Sequence, residues 1–452
     1  MKRKLEETTI LFISTVKWSF LATIVGIGVG ISTTIFLKVL NLSIYLTNRY
    51  SYYYFFLPIA FFISAFIIQY LAPEAEGHGT EKVIEAIHKY SGKINPLVIP
   101  VKLIASVITI AFGGSAGKEG PCAQIGAGVS SVFADILKFD DADRKKLVIC
   151  GISAGFSSVF GTPLAGAIFG IEVLFIGTLL YDALLPSFIA GIVSYHTSLK
   201  LGITYFYHPL KFNTVLSETF LIKVIISGIF FGFVSFLLIE TMRLFKNLSY
   251  RIHLWKPLKG LIGGFILIIL TFIFSTQYLG LGFEIIKSAI EGKEVLPFAF
   301  ILKIIFTSIT LNFGGSGGVI TPIFFIGATS GSAFTNLIGL DKTTLSSIGL
   351  VSILSGATNT PIASSIMAIE LFGPDIAPYA ALSCIISFLI TGHRSIYPSQ
   401  ILGFRKSPSI QVEIGKEVEE IKPHVQRRKK SLMNIIFTVK RIIKEKISKD
   451  KK

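Results

Sequence analysis

One phrase stands twice in this chain: FGGSAGKEGPCAQIGA at residues 112–127 and FGGSGGVITPIFFIGA at residues 313–328. The copies align without a gap at an offset of 201 residues, and nine of sixteen positions are identical. A second pair follows. TPLAGAIFGIEVL from Thr162 matches TPIASSIMAIELF from Thr360 at an offset of 198, so the spacing predicts two loops that differ by three residues. The chain reads as two homologous halves, 1–210 and 211–405, and a charged tail, 406–452.

Composition places both halves in a membrane. Of 452 residues, 51% are hydrophobic and only 15% are charged, against roughly 25% charged in a soluble domain. Long apolar runs lie at 10–40, 53–72, 220–239 and 261–279, each long enough for a spanning helix. The first is too long and too internal for a signal peptide and reads as a membrane helix. Other runs, 97–114 and 319–340, are short or broken by Gly and Pro, as expected where helices stop partway through the bilayer. The predicted fold is all-α and polytopic, with two homologous repeats of tilted, partly broken helices, inverted if each half holds an odd number of spans.

The net charge of +16 gathers at the ends, in MKRK at the start and RRKK with KRIIKEKISKDKK at the finish. This pattern predicts two cytoplasmic termini under the positive-inside rule, not nucleic-acid binding. Residues 433–447 are expected to form an amphipathic helix on the membrane surface. The tail from Arg405 is too short for a sizeable regulatory domain. Cys122, Cys150 and Cys384 are widely spaced in apolar context, which predicts packing residues and neither a disulfide framework nor a metal cluster. No cofactor is implied.

The Gly-rich phrase is not a phosphate loop. That motif needs Gly six positions before its Lys and a hydroxyl residue after it; here the positions hold Phe112 and Glu119. As a helix entry inside a membrane the phrase makes sense. Pro121 and Pro322 suit a first helical turn, and a helix N-terminus offers free N–H groups and a partial positive charge. Two such ends meeting at mid-membrane would hold an anion without a full positive charge, weakly enough for passage. Gly-mediated helix packing is the plainer reading of the same composition.

The copies differ at the decisive place. Glu119 in the first half faces Ile320 in the second. A carboxylate at such a helix end would compete with a transported anion, and protonation would remove it, making Glu119 a natural gate and proton carrier. Glu172 and Glu370 hold matching positions in apolar segments, which predicts a shared structural role at helix ends. His393 and Arg394 follow an apolar stretch and are expected at an interface.

At these residues the chain resembles the CLC family of chloride channels and proton-coupled chloride transporters, of the prokaryotic type without regulatory nucleotide-binding domains. GKEGP at 117–121 matches the family's G(K/R)EGP, and GVITP at 318–322 resembles its GxFxP. APEAEGHGTEK at 72–82 resembles the segment bearing GSGIP, and RSIYPSQ at 394–400 resembles the last-helix segment with a pore Tyr. The resemblance implies a homodimer with one pore per subunit and Glu119 as the external gate. It implies an anion site built from Gly77, His78, Gly79, Gly117, Lys118, Gly120, Gly318, Val319, Ile320 and Tyr397. It also implies a proton path through Glu119, with Glu172 as a candidate second member.

Several positions depart from the family. His78 stands for the central Ser that helps set anion preference. Glu81 stands where Pro is common, with no evident consequence. Ile320 trims a Phe. Val173 replaces an inner glutamate of many proton-coupled members and cannot carry a proton. The expectation is therefore anion transport, chloride by default, leaning to a channel-like or weakly coupled protein, with a chloride/proton antiporter close behind. Nitrate and fluoride are further substrates; GKEGP and Tyr397 argue against fluoride, and His78 leaves room for it. A membrane-embedded enzyme using Glu119 and His78 is the reading from another class, and no metal motif, nucleophile elbow or cofactor loop supports it. The expected location is a prokaryotic cell membrane.

Overall fold

Gly and Pro punctuate the apolar runs, and the helices obey them. The computed structural model describes residues 2–210 and 218–426. The first half carries α1 (Lys2–Thr47), α2 (Leu57–Leu71), α3 (Thr80–Lys89), α4 (Val98–Ala111), α5 (Glu119–Ile136), α6 (Asp141–Phe160), α7 (Pro163–Glu172) and α8 (Leu184–Lys200). The second carries α9 (Glu218–Arg251), α10 (Lys256–Phe274), α11 (Phe283–Ile290), α12 (Ala299–Asn312), α13 (Ile320–Ile338), α14 (Lys342–Thr358), α15 (Pro361–Phe372) and α16 (Ala377–Thr391). Two short strands, β1 (Phe175–Ile176) and β2 (Ile401–Leu402), pair in parallel and tie the first half to the end of the second. In the tail, β3 (Ile410–Gln411) pairs antiparallel with β4 (His424–Val425). The amphipathic helix expected at 433–447 lies outside the described residues.

Five of the described helical stretches are long and apolar enough to cross a membrane: Lys4–Thr47, Tyr53–Leu71, Glu218–Arg251, Lys256–Phe274 and Pro374–Thr391. Four apolar helices are shorter: α4, α7, α12 and α15. At 14 residues, α4 and α12 rise only about 21 Å, less than the ~30 Å hydrocarbon core. These half-depth helices come in repeat-related pairs. Helix starts at 98, 119 and 141 recur at 299, 320 and 342, an offset of 201; the starts at 163 and 361 are offset by 198.

The three-residue difference is not in a loop. Helix α6 has 20 residues and its counterpart α14 has 17, while the α6–α7 and α14–α15 connections each hold two. A helix inside a bundle extends into the membrane surface at little cost. A short connection between two packed helices has no such slack. Both helices open on the same device: Asp140 accepts from the Asp143 N–H at 2.8 Å, and Asp341 accepts from the Thr344 N–H at 2.9 Å. Such caps contribute about 1 kcal/mol each.

Helices α5 and α6 cross closely, as do α13 and α14. A Cβ added at Gly126 would lie 2.4 Å from the Gly151 carbonyl oxygen, and one at Gly327 would lie 2.5 Å from that of Gly349. Gly-mediated packing is therefore present, at the C-terminal end of each Gly-rich phrase. Cys122, Cys150 and Cys384 are buried free thiols.

Candidate functional site

The two Gly-rich phrases meet back to back. Gly117 N–H donates to the Gly318 carbonyl at 2.7 Å, and Gly318 N–H donates to the Gly117 carbonyl at 2.6 Å, an isolated antiparallel bridge. Immediately beyond it, α5 begins at Glu119 and α13 begins at Ile320. One backbone contact thus brings two helix N-termini, from opposite halves, to one place. A third arrives with α3, whose N-cap Gly79 has φ +83°. A Cβ at Gly79 would sit 2.4 Å from the Gly120 carbonyl oxygen, and one at Gly120 would sit 1.9 Å from that of His78. No side chain fits either position without moving backbone.

Glu119 is fully buried at this junction. Its carboxylate accepts from the Thr321 N–H at 3.0 Å and, in a short hydrogen bond, from the Thr321 hydroxyl. The first-half carboxylate therefore lies against the second-half helix end. Thr321 was missed in the sequence, where attention fell on Ile320; its signal was a hydroxyl residue in the first turn of GVITP. Val319 is the N-cap of α13, and Ile320 is its buried first residue.

Near Glu119 lies a group of buried polar atoms without partners of good geometry. The His78 Nδ1, the Thr80 Oγ1 and the Tyr397 hydroxyl have no hydrogen-bond partner of good geometry. The His78 and Tyr397 rings are 6.5 Å apart between centroids, and Tyr397 lies within electrostatic reach of Glu119. Orphaned buried polar atoms cost about 1–3 kcal/mol each. Buried atoms of this kind, two of them on rings 6.5 Å apart, suit an anion or water.

Gly77, at φ +79°, offers its carbonyl to the Lys102 ammonium at 2.6 Å, and Ala75 does the same at 3.1 Å. Lys102, on α4, is fully buried and holds the loop that carries His78. Its repeat mate Lys303 on α12, 201 residues on, is also fully buried. It bonds the Tyr278 and Gly280 carbonyls at 3.0 and 2.8 Å. Both lysines were legible as a shared offset in KLI and KII, and neither was singled out.

Lys118 turns away from the central spot. Its Nζ lies 5.0 Å from the Phe283 ring centroid. The residue lines a cavity of about 200 Å³ with Lys38, Asn41 and Thr204.

Glu172 and Glu370 exchange caps. Glu172 accepts from the Ile362 and Ala363 N–H groups at the start of α15, at 3.0 and 2.8 Å. Glu370 accepts from Leu164 and Ala165 at the start of α7, at 3.0 and 2.8 Å. Val173 is buried, and its carbonyl accepts from Gln400 at 2.7 Å; Gln400 also donates to the Thr358 carbonyl at 2.8 Å. Gln400 thereby holds the Tyr397 loop to the ends of α7 and α14. His393 is buried and accepts from the Lys406 N–H at 3.0 Å, while Arg394 pairs with Glu240 at 2.8 Å.

This arrangement has relatives. A family model described as voltage gated chloride channel matches residues 60–392. A chloride/fluoride channel protein of Pseudomonas syringae pv. tomato is 34% identical over 398 residues, covering 86% of this chain and 87% of that protein. The crystal structure of a CLC-type fluoride/proton antiporter superposes with a TM-score of 0.82 at 27% identity, over 86% of this chain and 98% of the other. A slow cyanobacterial Cl⁻/H⁺ antiporter shares the fold at a TM-score of 0.72 and 19% identity, over 83% and 94%. With its paired helix ends, its broken helices and this match over most of its length, the chain belongs to the CLC family of voltage gated chloride channels and anion transporters.

Proposed function

We propose that this protein exchanges a small halide for protons, with fluoride the preferred cargo and chloride the second. The observation that carries the reading is the Glu119 carboxylate at the start of α13, taking the Thr321 N–H and O–H. A carboxylate there fills an anion's place. An incoming anion must displace it, and protonation releases it. Exchange follows when the two events alternate.

Helix ends, a hydroxyl and a neutral imidazole bind an anion through short, directional donors. Fluoride, the smallest halide, accepts such bonds most strongly. The fluoride-linked names of the 34% identical relative and of the 27% identical structure support the same cargo. His78 in place of the central Ser fits a changed preference. Nitrate, a larger and weaker acceptor, comes behind. A channel that passes anions without protons is the second reading, favoured by Val173, which carries no titratable group. The enzyme reading has no support beyond the closeness of Glu119 and His78.

Both termini are assigned to the cytoplasm. Lys17 of α1 pairs with Asp143 at the start of α6 at 2.7 Å, and Lys89 at the end of α3 pairs with Glu417 of the tail at 3.1 Å. The end of α3 lies against the start of α6, since a Cβ on Gly92 would be 3.5 Å from the Lys145 Cα. One face therefore gathers the N-terminal helix and the tail, and basic termini favour the cytoplasmic side. The resemblance implies a homodimer with one pore in each subunit, in a prokaryotic cell membrane.

The test is simultaneous fluoride and proton flux from fluoride-loaded liposomes, repeated with chloride. Exchange predicts that outward fluoride drives protons inward against their gradient, and that Glu119→Gln abolishes this. Anion efflux with no proton movement would establish the channel reading.

A further inference from the structure

The geometry points to Glu81 as the inner proton-accepting carboxylate of this transporter, standing in for the group that Val173 lacks. This inference rests on the exchanger reading above. Glu81 is in the first turn of α3, three residues beyond His78. Its Oε1 accepts from the Ser399 N–H at 3.1 Å and the Ser399 hydroxyl at 2.6 Å. Its Oε2 is buried and has no partner. The other embedded carboxylates are engaged: Glu119 by Thr321, and Glu172 and Glu370 by helix N–H groups through both oxygens. Glu81 alone among these four keeps a free, buried oxygen.

Position gives that oxygen its meaning. Tyr397 lies within electrostatic reach of both Glu81 and Glu119. The Tyr397 hydroxyl, Thr80 Oγ1 and His78 Nδ1 are, like Glu81 Oε2, buried without a partner of good geometry, and the Tyr397 and His78 rings lie 6.5 Å apart, making a polar spot beside Tyr397. Helix α3 leads from this spot to Lys89, whose pair with Glu417 marks the face assigned to the cytoplasm. A polar spot with unfilled donors and acceptors holds water, and water carries protons.

The step balances without a co-reactant. Glu81 Oε2 takes a proton from cytoplasmic water and becomes neutral. Through water beside Tyr397 and His78 it gives that proton to the Glu119 carboxylate. Glu81 returns to its charged form, and Glu119 leaves the α13 end as a neutral acid. The charged groups facing Glu81 are Lys82 on its own helix and Lys246 on α9. Lys82 is occupied by Glu85 at 2.8 Å, and Lys246 by Glu419 at 3.1 Å. Neither pairs with Glu81, so the carboxylate is free to change charge.

The experiment measures protons moved per fluoride in liposomes carrying the full chain, for wild type, Glu81→Gln, Glu81→Pro and Glu81→Asp. Pro suits the first helical turn and is the residue the resemblance places there, so it guards against a misfolded Gln variant. In the expected result Gln and Pro still pass fluoride, the proton ratio falls about tenfold or more, and Asp restores it. A coupled wild type whose ratio is unchanged in both Gln and Pro would overturn the Glu81 assignment and leave the exchanger standing. Loss of fluoride flux in both would make Glu81 structural and also overturn it. A wild type that moves no protons would sink the exchanger reading, and Glu81 as a carrier with it.

Discussion

Gly117 and Gly318 donate to each other's carbonyls across the junction of the two halves, at 2.7 and 2.6 Å. The same residue of each repeat meets its counterpart, which places the pseudo-two-fold axis of the fold between them. The bridge leaves no room for a side chain. A Cβ on Gly318 would lie 2.6 Å from the Gly120 nitrogen, and one on Gly117 would lie 3.0 Å from the Thr321 nitrogen.

Gly318→Ala is therefore expected to push α13 away from α5. Overpacking against backbone costs about 1–3 kcal/mol, and here the strain falls on the two helix ends at which the anion is proposed to bind. Thermal unfolding in detergent should show the smaller loss and liposome flux the larger. A variant that transports at the wild-type rate would show that the bridge is not needed for the site.

Glu119→Gln should make anion binding tighter and flat with pH. In the wild type the carboxylate competes for the α13 end, so acid should strengthen anion binding by neutralising the competitor. Thr321→Val should act in the same direction but less, because the N–H remains. A hydrogen bond to a charged group contributes about 1.5–3 kcal/mol. Calorimetric fluoride titrations between neutral and acid pH measure both. Unchanged pH dependence in Glu119→Gln would remove Glu119 from the gate.

Glu172→Gln and Glu370→Gln should each destabilise the protein, because an amide has one acceptor oxygen where two N–H groups need one each. The cost of an orphaned buried donor is about 1–3 kcal/mol. Glu172 is the more buried of the two, so its variant should melt lower. Proton coupling should survive in Glu172→Gln if its role is only to cap α15. Loss of coupling there would instead restore Glu172 to the proton path.

Lys102→Met should weaken anion binding through the loop it holds. The ammonium bonds the Ala75 and Gly77 carbonyls, and Met fills the space without donors. The orphaned carbonyls and the lost positive charge act together. The matched Lys303→Met variant touches the opposite half and leaves the His78 loop intact, so its anion affinity should change less. Equal effects would mean that the buried charge, not the loop, is what matters.

Much of this was legible because repetition is written in the chain. The duplicated phrases and the half-depth helices pointed to opposed helix ends, and the odd carboxylate among them pointed to Glu119, which the structure places at the second helix end. Paired Glu172 and Glu370 announced a shared role at helix ends, and the structure supplies the partner helices. The sequence was less informative where meaning depends on a partner from a distant segment. Thr321 matters because a carboxylate 202 residues earlier reaches it. Glu81 looked inconsequential because Ser399 lies 318 residues away. Lys118 sits in the best-matched motif, yet its ammonium lies over the ring of Phe283, a residue of the opposite half.

Periodicity, composition and internal repetition are local properties, and they alone pointed to the membrane class and to the repeat. Which atoms remain unpaired at the centre was decided only by tertiary structure. Hydrogen-bond satisfaction is a property of space and not of order along a chain. The free oxygen of Glu81 exists only because the surrounding helices fill their own bonds and leave it none.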